Sequence, residues 1–481
     1  MNLKNLPSIV VSLCLLPVML LAAGPARGFN LQPYVDAAVP NLVRYINIDT
    51  INPPGNESRG VAFLGGLLSE AGIAYESAES APGRGNLWAK LTGEPTADGR
   101  KLPALVLLHH IDVVPANAAH WQVDPLSGDI VNGYIYGRGA IDPKGLGMVQ
   151  LQAFLALAAS GSPLNRDVWY IATADEEAGG LFGAGWMVEN RPEVFAGVGY
   201  LLNEGGSGRR YEQGVATMVE VTQKVPLWLR LTATGRPGHG SAPQVATSVT
   251  RLVRGLERMR ETNFPVNVVP PVAAMFEGLA PYQGDSLRGQ YANIAEAAQD
   301  SEFLLNLRLQ NPSAHALLRN TCSITRLQGS SKINVVPAEA SAELDCRLLP
   351  DQNPEEFFNQ LTQIINDDAI RIEKLMGFTP ASSRTDTPLF AAIEKVAGER
   401  HDARVVPTVA GGFTDSHFFR DMGITSYGYS PFVFGASEAT GIHGNDERIS
   451  VRNVEEGVEA FYELLQTFAV RQRLITDLLN E

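Results

Sequence analysis

The stretch LVLLHHIDVVPA (105–116) is an unbroken apolar run closed by His109, His110 and Asp112. Two related stretches follow it, YGRGAIDPKG (136–145) and IATADEEAGG (171–180). Between them the three place His110, Asp112, Glu176 and Glu177 just after the apolar runs ALVLL (104–108) and DVWYIAT (167–173). Asp142 stands at the mouth of the helix-like run MVQLQAFLALAAS (148–160). Short apolar strands alternating with amphipathic helices predict a largely parallel sheet flanked by helices on both faces. In such sheets ligands gather beyond the carboxyl ends of the strands, which is where these side chains fall.

Imidazole and carboxylate are ligands that zinc accepts, and two metals sharing a bridging carboxylate stand roughly 3.5–4 Å apart. A second carboxylate beside a ligand can act as a base, so the Glu176-Glu177 doublet offers one residue for each task. Taken singly, each piece is ordinary. A histidine and aspartate after a strand commonly form a capped loop, an Asp-Glu-Glu run is commonly a solvated helix start, and GRGAIDPKG has the composition of a turn. Their coincidence at strand ends of one domain points to a metal site.

Further along the chain lie LLNEGGSG (201–208), TGRPGHGSAP (234–243), NVVPAEASAELDCRLLP (334–350), GGFTDSHFF (411–419) and GIHGNDERIS (441–450). With these, the sequence from about residue 34 to about residue 468 resembles the dizinc metallopeptidase family of aminoacylase, carboxypeptidase G, carboxypeptidase S and succinyl-diaminopimelate desuccinylase. It looks closest to the carboxypeptidase S and N-acyl-amino-acid hydrolase branch. The resemblance implies two Zn2+ per chain, with Co2+ as a substitute. His110 and Glu204 would hold one ion, Glu177 and His443 the other, and Asp142 would bridge them. Glu176 becomes the general base, and Asp112 the carboxylate that orients His110. His239 matches a lid histidine that reaches a neighbouring subunit's site and polarises the scissile carbonyl. Arg347 and the backbone at Gly411 match positions that grip the substrate carboxylate. Three positions depart from the family's habit: Pro143 after the bridging aspartate, Asn203 where aspartate commonly precedes the ligand Glu204, and Ser323 where several relatives carry asparagine.

The implied activity is hydrolysis of an amide or peptide bond next to a free carboxylate, releasing an amino acid from an N-acyl amino acid or a small peptide. The competing reading is a catalytically silent relative that binds such molecules. The presence of every ligand and of Glu176 weighs against it. Spacing excludes two other classes: GGLFGAG (179–185) lacks the glycine pattern of a dinucleotide loop, and GGSG around Ser207 is not a nucleophile elbow.

At 481 residues, with 45% hydrophobic content, the chain can bury two cores. Residues 1–28 carry Lys4, a mostly apolar run, then AAGPARG without an acidic residue, the pattern of a cleaved secretory signal. That implies a secreted or periplasmic protein with no membrane attachment after cleavage. The formal charge of −14 becomes more negative once Lys4 and Arg27 are removed, which argues against nucleic acid or anionic lipid as partner.

The catalytic domain is expected over 29–223 and 377–481. Between them, alternating VPLWLRLTATG (225–235), helices near 245–261 and 353–368, a hairpin around SSKINVVP and a strand near 370–374 predict an inserted ferredoxin-like α+β lid and dimerisation domain over 224–376. Residues 262–318 are expected to form a long irregular insert. Cys322 and Cys346 fall in the two hairpin segments, where a cross-strand disulfide and a pair of buried thiols are both open readings. The lid is the expected surface for a homodimer.

Overall fold

The computed structural model describes residues 28–96, 98–435, 438 and 441–471. The expected signal segment up to residue 27 lies outside the described residues. A ten-stranded mixed sheet forms the larger unit. At its centre Val168–Thr173, Ala104–His110, Val198–Asn203 and Thr425–Gly428 run parallel, in that spatial order. Antiparallel neighbours flank them: Gly85–Leu91 on one side and Gly214–Gln223 on the other.

Period-two alternation between two covered faces explains why the central strand is apolar from Ala104 to Leu108. Leu105 and Leu107 face the core built from the helices Gln32–Ile46, Lys144–Ala159 and Val451–Ala469, where they meet Leu42, Phe154 and Phe461. Val106 and Leu108 face the opposite core, with Ala184, Met187 and Phe419 from the helices Ala184–Asn190 and Ser416–Asp421. All seven residues of the strand are buried. Leu105, Val106, Leu107 and Leu108 each contribute roughly 1.5–3 kcal/mol on burial, and together they fix the register that sets His110 on the rim.

A second sheet is wholly antiparallel, in the order Thr321–Gln328, Glu339–Leu348, Val225–Thr234 and Ile370–Gly377. The helices Ser248–Glu261 and Pro354–Ile365 pack on one face, with Leu252, Leu256, Phe357 and Leu361 against Leu227, Leu229 and Leu231. This is the β-α-β-β-α-β order of a ferredoxin-like unit. Cys322 and Cys346 sit opposite each other in register and are joined by a disulfide.

One expectation is corrected. The 262–318 segment is largely helical: Pro270–Leu279, Asp285–Ala292, Ile294–Ala297, Ser301–Gln310 and Pro312–Ala316. Its apolar residues Val272, Phe276 and Leu279 share a core with Ala216, Val406 and Val409 of the large sheet. The insert therefore belongs by packing to the catalytic unit rather than to the ferredoxin-like sheet.

Candidate metal centre

Four loops converge at the carboxyl rim of the parallel strands. His110 is the last residue of its strand, Glu176 and Glu177 lie in a single helical turn just after Val168–Thr173, and Glu204 follows Val198–Asn203 directly. Asp142 precedes the helix Lys144–Ala159 across a cis bond to Pro143. His443 lies between Gly441 and Gly444 with φ of 56°, in the left-handed region.

The carboxylate of Asp142 stands between two imidazoles. Its Oδ1 is 3.3 Å from His110 Nε2, and its Oδ2 is 3.1 Å from His443 Nε2. Glu204 Oε1 approaches His110 Nε2 at 3.4 Å, and Glu177 Oε2 approaches His443 Nε2 at 3.2 Å. Glu176 Oε2 lies 3.8 Å from His110 Nε2. Donor atoms of His110, Asp142 and Glu177, and again those of His110, Glu176 and Glu204, fall within 4.8 Å of one another.

So many acidic groups in one buried pocket disturb one another. Burial pushes the Glu176 carboxyl well above its usual range, and the charge of Glu204 adds to the effect. Burial likewise raises Glu204 to about 7. Hydrogen bonds to Asp142 and Glu177 lift His443 to about 10. His110 Nε2 and Glu177 Oε1 are buried without a hydrogen-bond partner among the described residues. Two imidazoles and four carboxylates with inward-facing, unsatisfied atoms are the donor set that divalent cations require. The residues present therefore fit a pair of such ions.

Supporting contacts orient these donors. His110 Nδ1 lies 2.9 Å from the backbone carbonyl of Asp112, closer than the 3.4 Å to that residue's carboxylate. An Nδ1–H donated to this carbonyl leaves the Nε2 lone pair facing Asp142 and Glu204. The Asp112 carboxylate instead accepts the backbone amides of Glu176 and Glu177, each at 3.2 Å, and Asn52 Nδ2 at 2.7 Å. Asp112 is thus a brace for the Glu176–Glu177 turn as much as for His110. Glu447 holds the Asp142 loop, accepting the amides of Ile141 and Asp142 on Oε1, and Gly139 with Arg138 on Oε2.

The remaining sequence candidates lie elsewhere. His239 is exposed on a short strand, where its Nδ1 meets Ser241 Oγ at 2.7 Å; it makes no hydrogen bond or ion pair with the donor cluster of its own chain. Arg347 Nε and Nη2 are engaged by Asp345 at 2.7 and 3.2 Å, and its guanidinium lies 5.3 Å from the Phe413 ring centroid. Only Nη1 of Arg347 is left buried and unpartnered. Gly411 opens the loop that carries Phe413, and a Cβ placed there would meet nothing within 4 Å. Asn203 donates to Ser416 Oγ at 3.2 Å, and Ser323 lies opposite Asp345 on the strand Thr321–Gln328. His109 packs into the core against Tyr170, and His417 stacks on Phe378 at 3.6 Å. Asn52, Glu57, Arg84 and Glu447 carry no metal-ligand spacing and escaped the sequence reading; a polar residue beside glycine and proline, as in NPPGNE (52–57), was the one available signal.

The chain matches the model of peptidase family M20/M25/M40 over residues 106–467, and it belongs to that family. It is 32% identical over 383 residues to the N-fatty-acyl-amino acid synthase/hydrolase PM20D1 of Xenopus tropicalis, a match spanning 77% of this chain and 73% of that one. Human aminoacylase-1 is 27% identical over 442 residues, covering 90% of this chain and 96% of its own. Among solved structures, the M20 family metallo-carboxypeptidase Sso-CP2 from Sulfolobus solfataricus superposes with a TM-score of 0.69 at 19% identity, covering 90% of this chain and 99% of that one. Human carnosine dipeptidase 1 gives a TM-score of 0.65 at 17% identity, covering 91% and 98%. The protein is an amidohydrolase or peptidase of this family, and its mixed α/β fold is the family's fold.

Proposed function

We propose that this chain is a dizinc amidohydrolase that cleaves the amide beside a free carboxylate, releasing an amino acid from an N-acyl amino acid or small peptide. The observation that carries this reading is Asp142 standing between His110 and His443 with Glu176 alongside. His110 and Glu204 would hold one ion, His443 and Glu177 the other, with Asp142 shared. When bound, the zinc pair supplies Lewis-acid charge to the scissile carbonyl. Glu176 takes a proton from the attacking water and returns it to the leaving nitrogen. Asp112 and Asn52 keep the Glu176 turn in place while this happens. Arg347, with Nη1 uncommitted, and the open backbone at Gly411 receive the substrate carboxylate.

The similarity to an N-fatty-acyl-amino acid synthase/hydrolase and to an aminoacylase favours an acyl group on the amine side. A homodimer through the lid would bring His239 to a neighbour's site as carbonyl donor. Thr321–Gln328, an edge strand exposing Ile324 and Leu327, supports that surface. Secretion or periplasmic export fits the apolar N-terminus and the Cys322–Cys346 disulfide, since such bonds persist in oxidising compartments.

Purified protein tested against N-acyl amino acids and dipeptides, before and after chelation and with zinc restored, examines the reading. Hydrolysis that disappears with chelator and returns with zinc is the expected result. Binding of these molecules without turnover would favour the silent relative.

A further inference from the structure

Behind the turn that carries Glu176 lies a buried charge cluster. Arg84 Nη2 is 2.7 Å from Glu57 Oε1 and 2.7 Å from Asp175 Oδ1, with side-chain exposures of 11%, 0% and 4% respectively. Glu57 Oε1 also accepts the amide of Asp175 at 3.2 Å. Asp175 Oδ2 accepts the amide of Phe182 at 3.0 Å, and Asn52 Nδ2 bridges Asp112 Oδ2 at 2.7 Å and Asp175 Oδ1 at 3.3 Å. Asp175 itself has φ of 71°, a left-handed conformation that aspartate tolerates better than most side-chain-bearing residues but that still costs energy, which the surrounding hydrogen bonds and ion pair offset. The next two residues are Glu176 and Glu177.

From this geometry we infer that Arg84 is a positioning residue for the base Glu176. By clamping Asp175 against Glu57, it fixes the left-handed turn from which Glu176 and Glu177 emerge. The inference rests on the reading of Glu176 as base. Neither Glu57 nor Arg84 touches the donor set, so their action runs through Asp175. Asn52 extends the same brace to Asp112 and hence to His110. The contact is a charge shared between two carboxylates by one nitrogen, with a weaker bond from Nη1 to Pro54 O at 3.3 Å. A lysine ammonium can meet both carboxylates, whereas a methionine of similar length cannot.

A structural role alone would move stability and activity together, so the test separates them. Arg84→Met is expected to lower kcat about 10–100-fold, the usual effect of losing an outer support, with KM near wild type and the loss persisting when the assay is saturated with zinc to compensate for any weaker hold by Glu177. Arg84→Lys should keep most of kcat. Arg84→Met leaves two buried carboxylates without their counter-charge, so the double variant Arg84→Met/Glu57→Gln is made to relieve the repulsion. Its melting temperature should recover while kcat stays low, because Asp175 is still unclamped. Wild-type kcat in Arg84→Met, recovery of kcat together with stability in the double variant, or a loss fully explained by missing zinc would each overturn the inference. A wild-type enzyme inert on every N-acyl amino acid and dipeptide tested would remove the base reading and this inference together. An active wild type with indifferent Arg84 variants removes only the inference.

Discussion

Glu447 accepts the backbone amide of Asp142 at 3.1 Å, although the two residues are far apart in sequence and only three residues separate Glu447 from His443. The same carboxylate pairs with Arg138 Nη1 at 2.7 Å, and Arg138 Nη2 donates to Gly444 O at 2.7 Å. One buried ion pair thus sets the spacing between the loop that bears Asp142 and the loop that bears His443.

Breaking that pair should loosen both loops. Glu447→Ala leaves Arg138 buried without its counter-charge and strips the acceptor from the 139–142 amides, so a stability loss of about 3–5 kcal/mol is expected in urea unfolding. Glu447→Gln keeps one acceptor oxygen but turns an amide N–H toward donors it cannot satisfy. Its zinc affinity should fall by about 10–100-fold in a competition titration with a chelating dye. Unchanged affinity in a folded Glu447→Gln protein would mean that the loop spacing is set elsewhere.

Glu176 stands 3.8 Å from His110 Nε2, farther than Asp142 at 3.3 Å and Glu204 at 3.4 Å, and in the proposed reading it is the base rather than a ligand. Glu176→Gln should therefore retain about two zinc ions per chain while turnover falls by about 10²–10⁴, the usual worth of a general base. Retention of more than about a tenth of the wild-type rate would take Glu176 out of that role.

Why some of this was legible in the sequence and some was not follows from distance along the chain. His110, Asp142, Glu176 and Glu177 each lie within a few residues of an apolar run or a helix start, so local pattern was enough to bring them to one rim, whereas Glu204 came only through the resemblance carried by LLNEGGSG (201–208). His443 had no such run and depended on the resemblance carried by GIHGNDERIS (441–450). Glu447 sits in that same stretch, yet its task was invisible because its partners are the amides of 139–142, which have no side-chain signature. Arg84 and Glu57 were missed for a similar reason, since their pairing spans two glycine- and proline-rich loops. The helices within 262–318 give no helical signal in the sequence because proline and glycine interrupt their period. Their apolar residues make sense only against Val406 and Val409, which arrive from a strand much later in the chain. The ferredoxin-like pattern was readable because strands such as Glu339–Leu348 alternate and the helices Ser248–Glu261 and Pro354–Ile365 are amphipathic by themselves.

The Cys322–Cys346 crosslink closes a loop with a sequence separation of 24. A crosslink of that size restricts the unfolded chain by about 3 kcal/mol. The Cys322→Ser/Cys346→Ser double variant should lose about 2–4 kcal/mol of stability, read by denaturant midpoint, with KM little changed. A midpoint equal to that of the wild type under oxidising conditions would show that the bond contributes nothing to the folded four-stranded sheet.

The most direct test of the account is a count of zinc. Wild-type protein and Asp142→Ala, each equilibrated with zinc, desalted and analysed by elemental mass spectrometry, should give about two ions per chain and nearly none, because the lost carboxylate serves both positions. Circular dichroism must show both proteins folded for the comparison to stand. Two full equivalents in the Asp142→Ala variant, or a single equivalent in the wild type, would contradict the shared-aspartate centre.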